Sequence, residues 1–167
     1  MSTLAKRKVC LLGATGVGKT SLVMRFVRSI FSEQYQTTIG TRIETKHIPY
    51  GDHELVLVLW DLSGEDEFQR VRLSYLRGAA GYLLVADGTR RATVETAMAL
   101  HHTAAELLGD VPRVLVLNKA DLRAFWELDD ASERELAACW PIFETSAKTG
   151  AGVEEAFRAL GHALLPR

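Results

Sequence analysis

Cysteine is scarce in this 167-residue chain: Cys10 and Cys139 are too few for a disulfide framework. Cys10 lies inside the apolar run VCLLG, where a thiol reads as a small buried side chain, and a reducing, cytoplasmic setting is expected. Long apolar runs are missing as well, since none approaches the roughly 18 residues of a spanning helix. The polar start MSTLAKRK has no signal-peptide core, Ser2 stands where myristoylation needs glycine, and the end HALLPR offers no cysteine for prenylation. No intrinsic membrane anchor is expected, so a visit to a membrane would be made through a partner. Charge of one sign is lacking too: the formal net charge is -1 with 25% charged residues, which argues against both a nucleic-acid partner and disorder. No Pro/Ser-rich linker, internal repeat or low-complexity tract divides the chain. Its length suits one domain, expected over residues 1–167.

What is present is an alternation of strand and helix patterns. KVCLL (8–12) reads as a short strand, and TSLVMRFVRSI (20–30) carries apolar residues at helical spacing. TRIETKHIPY (41–50) alternates with period two, Gly51 and Asp52 make a turn, and HELVLVLWD (53–61) returns, which predicts a hairpin. GYLLVAD (81–87) and RVLVLNK (113–119) are solid apolar runs of the buried parallel type, PIFETS (141–146) a last strand. Helices are predicted at 93–109 and 153–165. The sum is a three-layer α/β fold whose mostly parallel sheet has one antiparallel edge strand, with ligands expected beyond the strands' carboxyl ends.

The loop after the first strand, GATGVGKT (13–20), fits G-x-x-x-x-G-K-[ST] in full. Its glycines let backbone N–H groups close around phosphate oxygens at a helix N-terminus. Lys19 reaches the terminal phosphates and the Thr20 hydroxyl ligates Mg²⁺. A nucleoside triphosphate is implied. NKAD (118–121) addresses the base, because Asp121 can accept from the two N–H groups on the guanine edge, whereas adenine presents an acceptor and no amine there. Lys119 can lie along the ring, and SAK (146–148) follows the last strand with a backbone N–H and a lysine stem to cover the base's carbonyl and other face.

In this order and spacing GATGVGKT, Thr38 in TTIG, WDLSG, NKAD and SAK resemble the Ras-like small GTPases, the Rab branch most closely, over nearly the whole chain. The resemblance implies a P-loop NTPase (small G-protein) fold with a six-stranded sheet, GTP/GDP and Mg²⁺ binding, and a molecular switch. Carried over by position, Gly13, Ala14, Thr15, Gly16, Val17, Gly18, Lys19, Thr20 and Ser21 would form the phosphate site, with Phe31 beside guanine, and Tyr35 and Thr38 completing the nucleotide's cover. Phe31 also reads as core packing and Ser21 as a helix cap. Asn118, Lys119 and Asp121 become the base site, closed by Ser146, Ala147 and Lys148. Thr20, Thr38 and Asp61 become the metal-side residues. Exchange factors, GTPase-activating proteins and effectors would meet residues 33–45 and 60–77.

The stretch WDLSGEDEF (60–68) departs from the family at one position. Asp61 ends a strand and can hold the Mg²⁺ hydration shell, and the Gly64 N–H can approach a γ-phosphate. Glu65 follows where the family has glutamine. A glutamine offers an acceptor to the attacking water and a donor to the phosphoryl group; a carboxylate offers acceptors only. Glu65, Lys19 and Gly64 are the catalytic candidates, and slow hydrolysis is expected. Asp66 and Glu67 read as helix-starting acids. Two alternatives stay open, a GTP-holding scaffold with negligible turnover and a P-loop phosphotransferase using ATP, the latter opposed by NKAD and SAK. His101 and His102 read as surface residues, as do His47 and His53. Ile43, Trp60 and Tyr75 fall where Rab-type proteins present an aromatic triad, although Ile43 is not aromatic.

Overall fold

The computed structural model describes residues 3–33, 41–62 and 73–167. Six strands form one sheet in the order β2-β3-β1-β4-β5-β6. They are β1 (Thr3–Leu12), β2 (Thr41–Tyr50), β3 (His53–Leu62), β4 (Gly81–Asp87), β5 (Arg113–Asn118) and β6 (Ile142–Thr145). β2 pairs antiparallel with β3 from Thr41↔Leu62 to Tyr50↔His53, and every other pairing is parallel. The expected antiparallel edge strand is therefore β2. Among the described residues the helices are α1 (Lys19–Arg28), α2 (Leu73–Leu76), α3 (Arg91–Leu108), α4 (Asp130–Cys139) and α5 (Val153–Ala163), with a 3₁₀ segment at Ala120–Phe125.

The period-two alternation of β1 builds both layers of core. Val9 and Leu11 face the α1/α5 side, where Phe26 stacks on Phe157 with ring centroids 4.2 Å apart. Cys10 and Leu12 face the α3 side, with Tyr82, Leu84, Ala97 and Leu100. Each fully buried leucine there contributes about 1.5–3 kcal/mol relative to exposure. In α5, Val153, Ala156, Phe157 and Leu160 recur at helical spacing and are all buried, so this helix lies along the sheet by one stripe. Burial drives the Cys10 thiol pKa up to about 12, which leaves it an inert core group. That agrees with its place in VCLLG.

Three features differ from the expectation. β1 is ten residues long rather than KVCLL alone, because the polar segment Thr3–Arg7 is held by the parallel ladder to β3 that begins at Thr3↔His53. Its side chains alternate out of the sheet, so charge there breaks no core. α4 has no buried residue and hence no apolar stripe to read. Its signal is a cap, the Asp129 carboxylate accepting from Ser132 N at 2.7 Å. α2 and the 3₁₀ segment are too short to show a period. Strand β1 sits centrally between β3 and β4, and the helices that follow β1 and β4 lie on opposite faces, which leaves a crevice at the strands' carboxyl ends.

Candidate functional site

The loop 13–18 leaves β1 at the crevice and enters α1. A Cβ on Gly13 would stand 2.4 Å from the Val85 carbonyl oxygen, so only glycine lets the loop lie against β4. Gly18 has φ 100°, a left-handed value, and a Cβ there would meet Asn118 Nδ2 at 2.4 Å. No side chain caps the first turn of α1 through Gly18, and that turn contains no acid. Its N–H groups and the helix dipole together favour an anion. Lys19 is buried, with its ammonium donating to the carbonyls of Gly13 at 2.9 Å and Ala14 at 3.1 Å. A buried cation held against a glycine loop that opens a helix suits a polyphosphate.

The Thr20 hydroxyl donates to Asp61 Oδ2 at 2.5 Å. Asp61 is fully buried near the end of β3, opposite Leu11 of β1 in the register that also aims the loop. A hydroxyl and a carboxylate are the hard oxygen donors that Mg²⁺ takes, and they stand beside the anion-favouring turn. The donor chemistry fits Mg²⁺.

On the far side of the loop, β5 ends at the buried Asn118. Its Nδ2 donates to Val17 O at 2.9 Å, and its Oδ1 accepts from Thr145 Oγ1 at 3.0 Å and from Ala147 N at 3.4 Å. Asn118 thereby ties the phosphate-side loop, β6 and the segment after β6 to one point. Lys119 follows at φ 71°, a left-handed turn of the chain that carries Asp121 to the surface. Asp121 Oδ1 accepts from the buried Ser146 hydroxyl at 2.7 Å, and Ser146 Oγ in turn accepts from Thr149 N. That arrangement fixes one carboxylate oxygen. The segment 146–148 is held from below by Arg25 of α1, which donates to Ala147 O at 2.7 Å and also to Lys148 O. The Lys148 ammonium pairs with Glu33 at 3.2 Å.

Sequence reasoning missed Asp87 and Arg90. Asp87 closes β4 with a side chain that has no exposure, 2.8 Å from Lys119 Nζ and 3.1 Å from Arg90 Nε. Its Oδ1 also accepts from the Thr89 backbone N–H and hydroxyl. Burial alone would raise its pKa, but the hydrogen bonds from Lys119, Thr89 and Arg90 outweigh burial and hold the carboxyl below the ordinary range. The signal was available, since an acid ending the apolar run GYLLVAD is the same cue that picked out Asp61. Lys119 thus lies against Asp87, while Trp126 donates to its carbonyl at 2.9 Å.

Other candidates divide by place. Tyr35, Thr38, Gly64, Glu65, Asp66 and Glu67 lie outside the described residues. Phe31 is half-buried and packs on the α1/α5 core, in line with its core-packing alternative. Ile43 is exposed and pairs in register with Trp60, whose ring lies 6.1 Å from that of Tyr75. His101 is not a plain surface residue. It meets the Tyr82 hydroxyl at 2.9 Å and the edge of Trp140, because both lie on the α3 side of the sheet. Among the described residues no group of three histidine, cysteine or acidic side chains could hold a metal.

A buried lysine on a glycine loop, a hydroxyl–carboxylate pair and a fixed surface carboxylate, all at the carboxyl ends of the parallel strands of one mixed sheet, fit the class of P-loop small GTPases. A sequence model of the Ras family matches residues 8–165, and the chain belongs to that family. It is 35% identical to human Ras-related protein Rab-31 over 99% of this chain and 87% of that one. It is 36% identical to Ras-related protein RABG3f of Arabidopsis thaliana over 92% and 79%, and 35% identical to human Ras-related protein Rab-7b over 96% and 83%. The protein is a guanine-nucleotide-binding GTPase of the Ras family with Rab-type relatives.

Proposed function

We propose that residues 1–167 act as one guanine-nucleotide switch that hydrolyses GTP slowly. The observation that carries this is the convergence of Lys19, the Thr20–Asp61 pair and the Asp121–Ser146 pair at one end of the sheet. In this reading the N–H groups of 13–20 and Lys19 hold the phosphates. Thr20 and Asp61, with Thr38, hold Mg²⁺, which neutralises charge on the phosphates. Asp121 accepts from the guanine edge with its geometry set by Ser146, while Asn118 positions the loops rather than reading the base. The stem of Lys119 lies along the ring, anchored by Asp87. Ala147 and Lys148 close the base's carbonyl side. A mispaired adenine would strand the Asp121 acceptor, at a cost of about 1–3 kcal/mol.

Thr38 and the Gly64 N–H are the groups through which Mg²⁺ and the γ-phosphate would order residues 33–41 and 62–77. Exchange factors, GTPase-activating proteins and effectors would then read those segments, with Ile43, Trp60 and Tyr75 among the contacts. Among the described residues no helix is long and apolar enough to cross a membrane. We place the protein in the cytoplasm, with membranes reached through a partner.

Glu65 sets the pace in this account. A carboxylate there is a stronger base than an amide, yet its charge opposes that on the transferring phosphoryl oxygens. Transfer is largely dissociative, so electrostatic stabilisation of those oxygens outweighs early proton removal. Single-turnover hydrolysis by wild type and Glu65→Gln at saturating Mg²⁺ tests this. The glutamine variant should be faster; an equal rate would show that the carboxylate is not limiting, and a slower one that Glu65 is the working base. Glu65 also motivates the second reading, a GTP-holding scaffold. Nucleotide extracted from purified protein separates the readings: GDP supports a cycling switch, GTP a scaffold, and ADP or ATP a phosphotransferase.

A further inference from the structure

Arg90, the residue before α3, is joined to the phosphate-side loop by a contact that no motif requires. Its Nε pairs with the buried Asp87 carboxylate at 3.1 Å, and its Nη2 donates to the Thr15 carbonyl at 3.0 Å, 75 positions earlier in the chain. The backbone beneath it is held in turn, with Arg90 N donating to Asp87 O at 2.9 Å and Thr93 N donating to Arg90 O at 3.0 Å. Both ends of the guanidinium are thus engaged while its anchor is fixed. Exposed arginine–carboxylate pairs contribute little, but here the carboxylate is wholly buried and the same planar fork reaches a backbone oxygen.

The consequence follows from peptide planarity. In a trans peptide the carbonyl of residue 15 and the N–H of residue 16 point in opposite directions, and no described peptide bond is cis. With the Thr15 carbonyl drawn toward Arg90, the Gly16 N–H faces away from Arg90. Gly16 itself has φ 77°, and a Cβ on it would stand 3.3 Å from Arg90 Nη2. A flexible glycine loop would otherwise let that peptide rotate, because glycine visits both signs of φ readily.

We propose that Arg90 is a positioning residue: through its bridge from Asp87 to the Thr15 carbonyl it presets the Gly16 N–H toward bound phosphate. Asp87 also pairs with Lys119 at 2.8 Å, so the clamp joins the phosphate loop to the base-side loop through one buried carboxylate. The inference rests on the nucleotide site proposed above. It assigns Arg90 no contact with nucleotide.

The test compares wild type, Arg90→Gln and Arg90→Lys, each loaded with GDP and Mg²⁺, by the release rate of a fluorescent GDP analogue and by the Gly16 amide resonance. Arg90→Gln should release GDP about tenfold faster, in line with loss of a charge-assisted hydrogen bond. Its Gly16 amide proton should move upfield, toward an unbonded value. Arg90→Lys keeps the charge beside Asp87 but has no fork to span both partners, so it should melt near wild type and yet show the same faster release and amide shift. Release rates and Gly16 resonances like wild type in both variants would overturn the clamp. Full rescue by lysine would also overturn it, by reducing Arg90 to a charge. A wild type that retains no GDP would instead defeat the nucleotide reading, and the clamp with it.

Discussion

The Thr20 hydroxyl lies 2.5 Å from the Asp61 carboxylate, although 41 positions separate them in the chain. The parallel pairing of β1 with β3 produces that approach, since Leu11 and Asp61 are register partners and Thr20 lies in the first turn of the helix that follows β1. A hydroxyl and a carboxylate so paired are hard oxygen donors that would hold Mg²⁺ in the proposed nucleotide site. Removing the metal should therefore speed GDP release from the wild type. Asp61→Ala should release GDP fast with or without a chelator, and the check is a nucleotide chase in Mg²⁺ and in EDTA. A variant that keeps the full chelator response would detach Asp61 from the metal.

Asn118→Ala should damage stability and binding together. The side chain it removes serves Val17 O, Thr145 Oγ1 and Ala147 N, and all three lie where water has little access. Leaving a buried group unsatisfied costs about 1–3 kcal/mol, so a loss of at least that size is expected in urea unfolding of the GDP complex. GDP release should accelerate in parallel.

Asp87 predicts a pH dependence of stability. Its folded pKa is depressed, because the hydrogen bonds from Lys119, Thr89 and Arg90 overcome burial. A depressed carboxyl contributes stability that is full above its ordinary value near 4 and is lost as pH falls below that toward the folded pKa. Asp87→Asn should cost about 1–3 kcal/mol at pH 7, moderated because Lys119 and Arg90 can turn to water. The melting-temperature gap between wild type and Asp87→Asn should narrow as pH drops below about 4. A constant gap from pH 7 to pH 3 would contradict the sign.

His101 gives a second, smaller pH effect in a different window. Burial, then the nearby Arg113 and His102, hold its pKa below the ordinary histidine value. The unfolded chain therefore binds the proton first, and stability should decline as pH falls through about 6.5. His101→Asn keeps an acceptor near the Tyr82 hydroxyl without titrating, and thermal melts between pH 7.5 and pH 5 should show a shallower decline for that variant.

Much of the sheet was legible because its strands are apolar runs with period two or full burial, and the hairpin because Gly51 and Asp52 punctuate it. The phosphate loop and NKAD were legible for a different reason, since their chemistry requires residue types at fixed spacing. α4 was not, because a helix with no buried residue has no apolar period. The amino half of β1, Thr3–Arg7, was hidden for a similar reason, as Lys6 and Arg7 look like part of a charged tail until β3 pairs with them. Arg90 escaped because its importance lies in a contact with Thr15, distant in sequence, whereas Asp87 carried the strand-end cue but its partner Lys119 did not show until the fold brought them together. The division of labour in NKAD also needed coordinates: Asn118 faces protein, and Asp121 stands at the surface with one oxygen held by Ser146.

The base specificity of Asp121 is the most direct test of the whole account. The measurement is equilibrium competition of GDP, XDP and ADP for wild type and Asp121→Asn. Wild type should prefer GDP, and the variant should lose at least about 1–3 kcal/mol toward GDP while gaining toward XDP, whose edge replaces the amine with a carbonyl. Equal affinity of the wild type for GDP and ADP, or a variant with an unchanged order of preference, would contradict it.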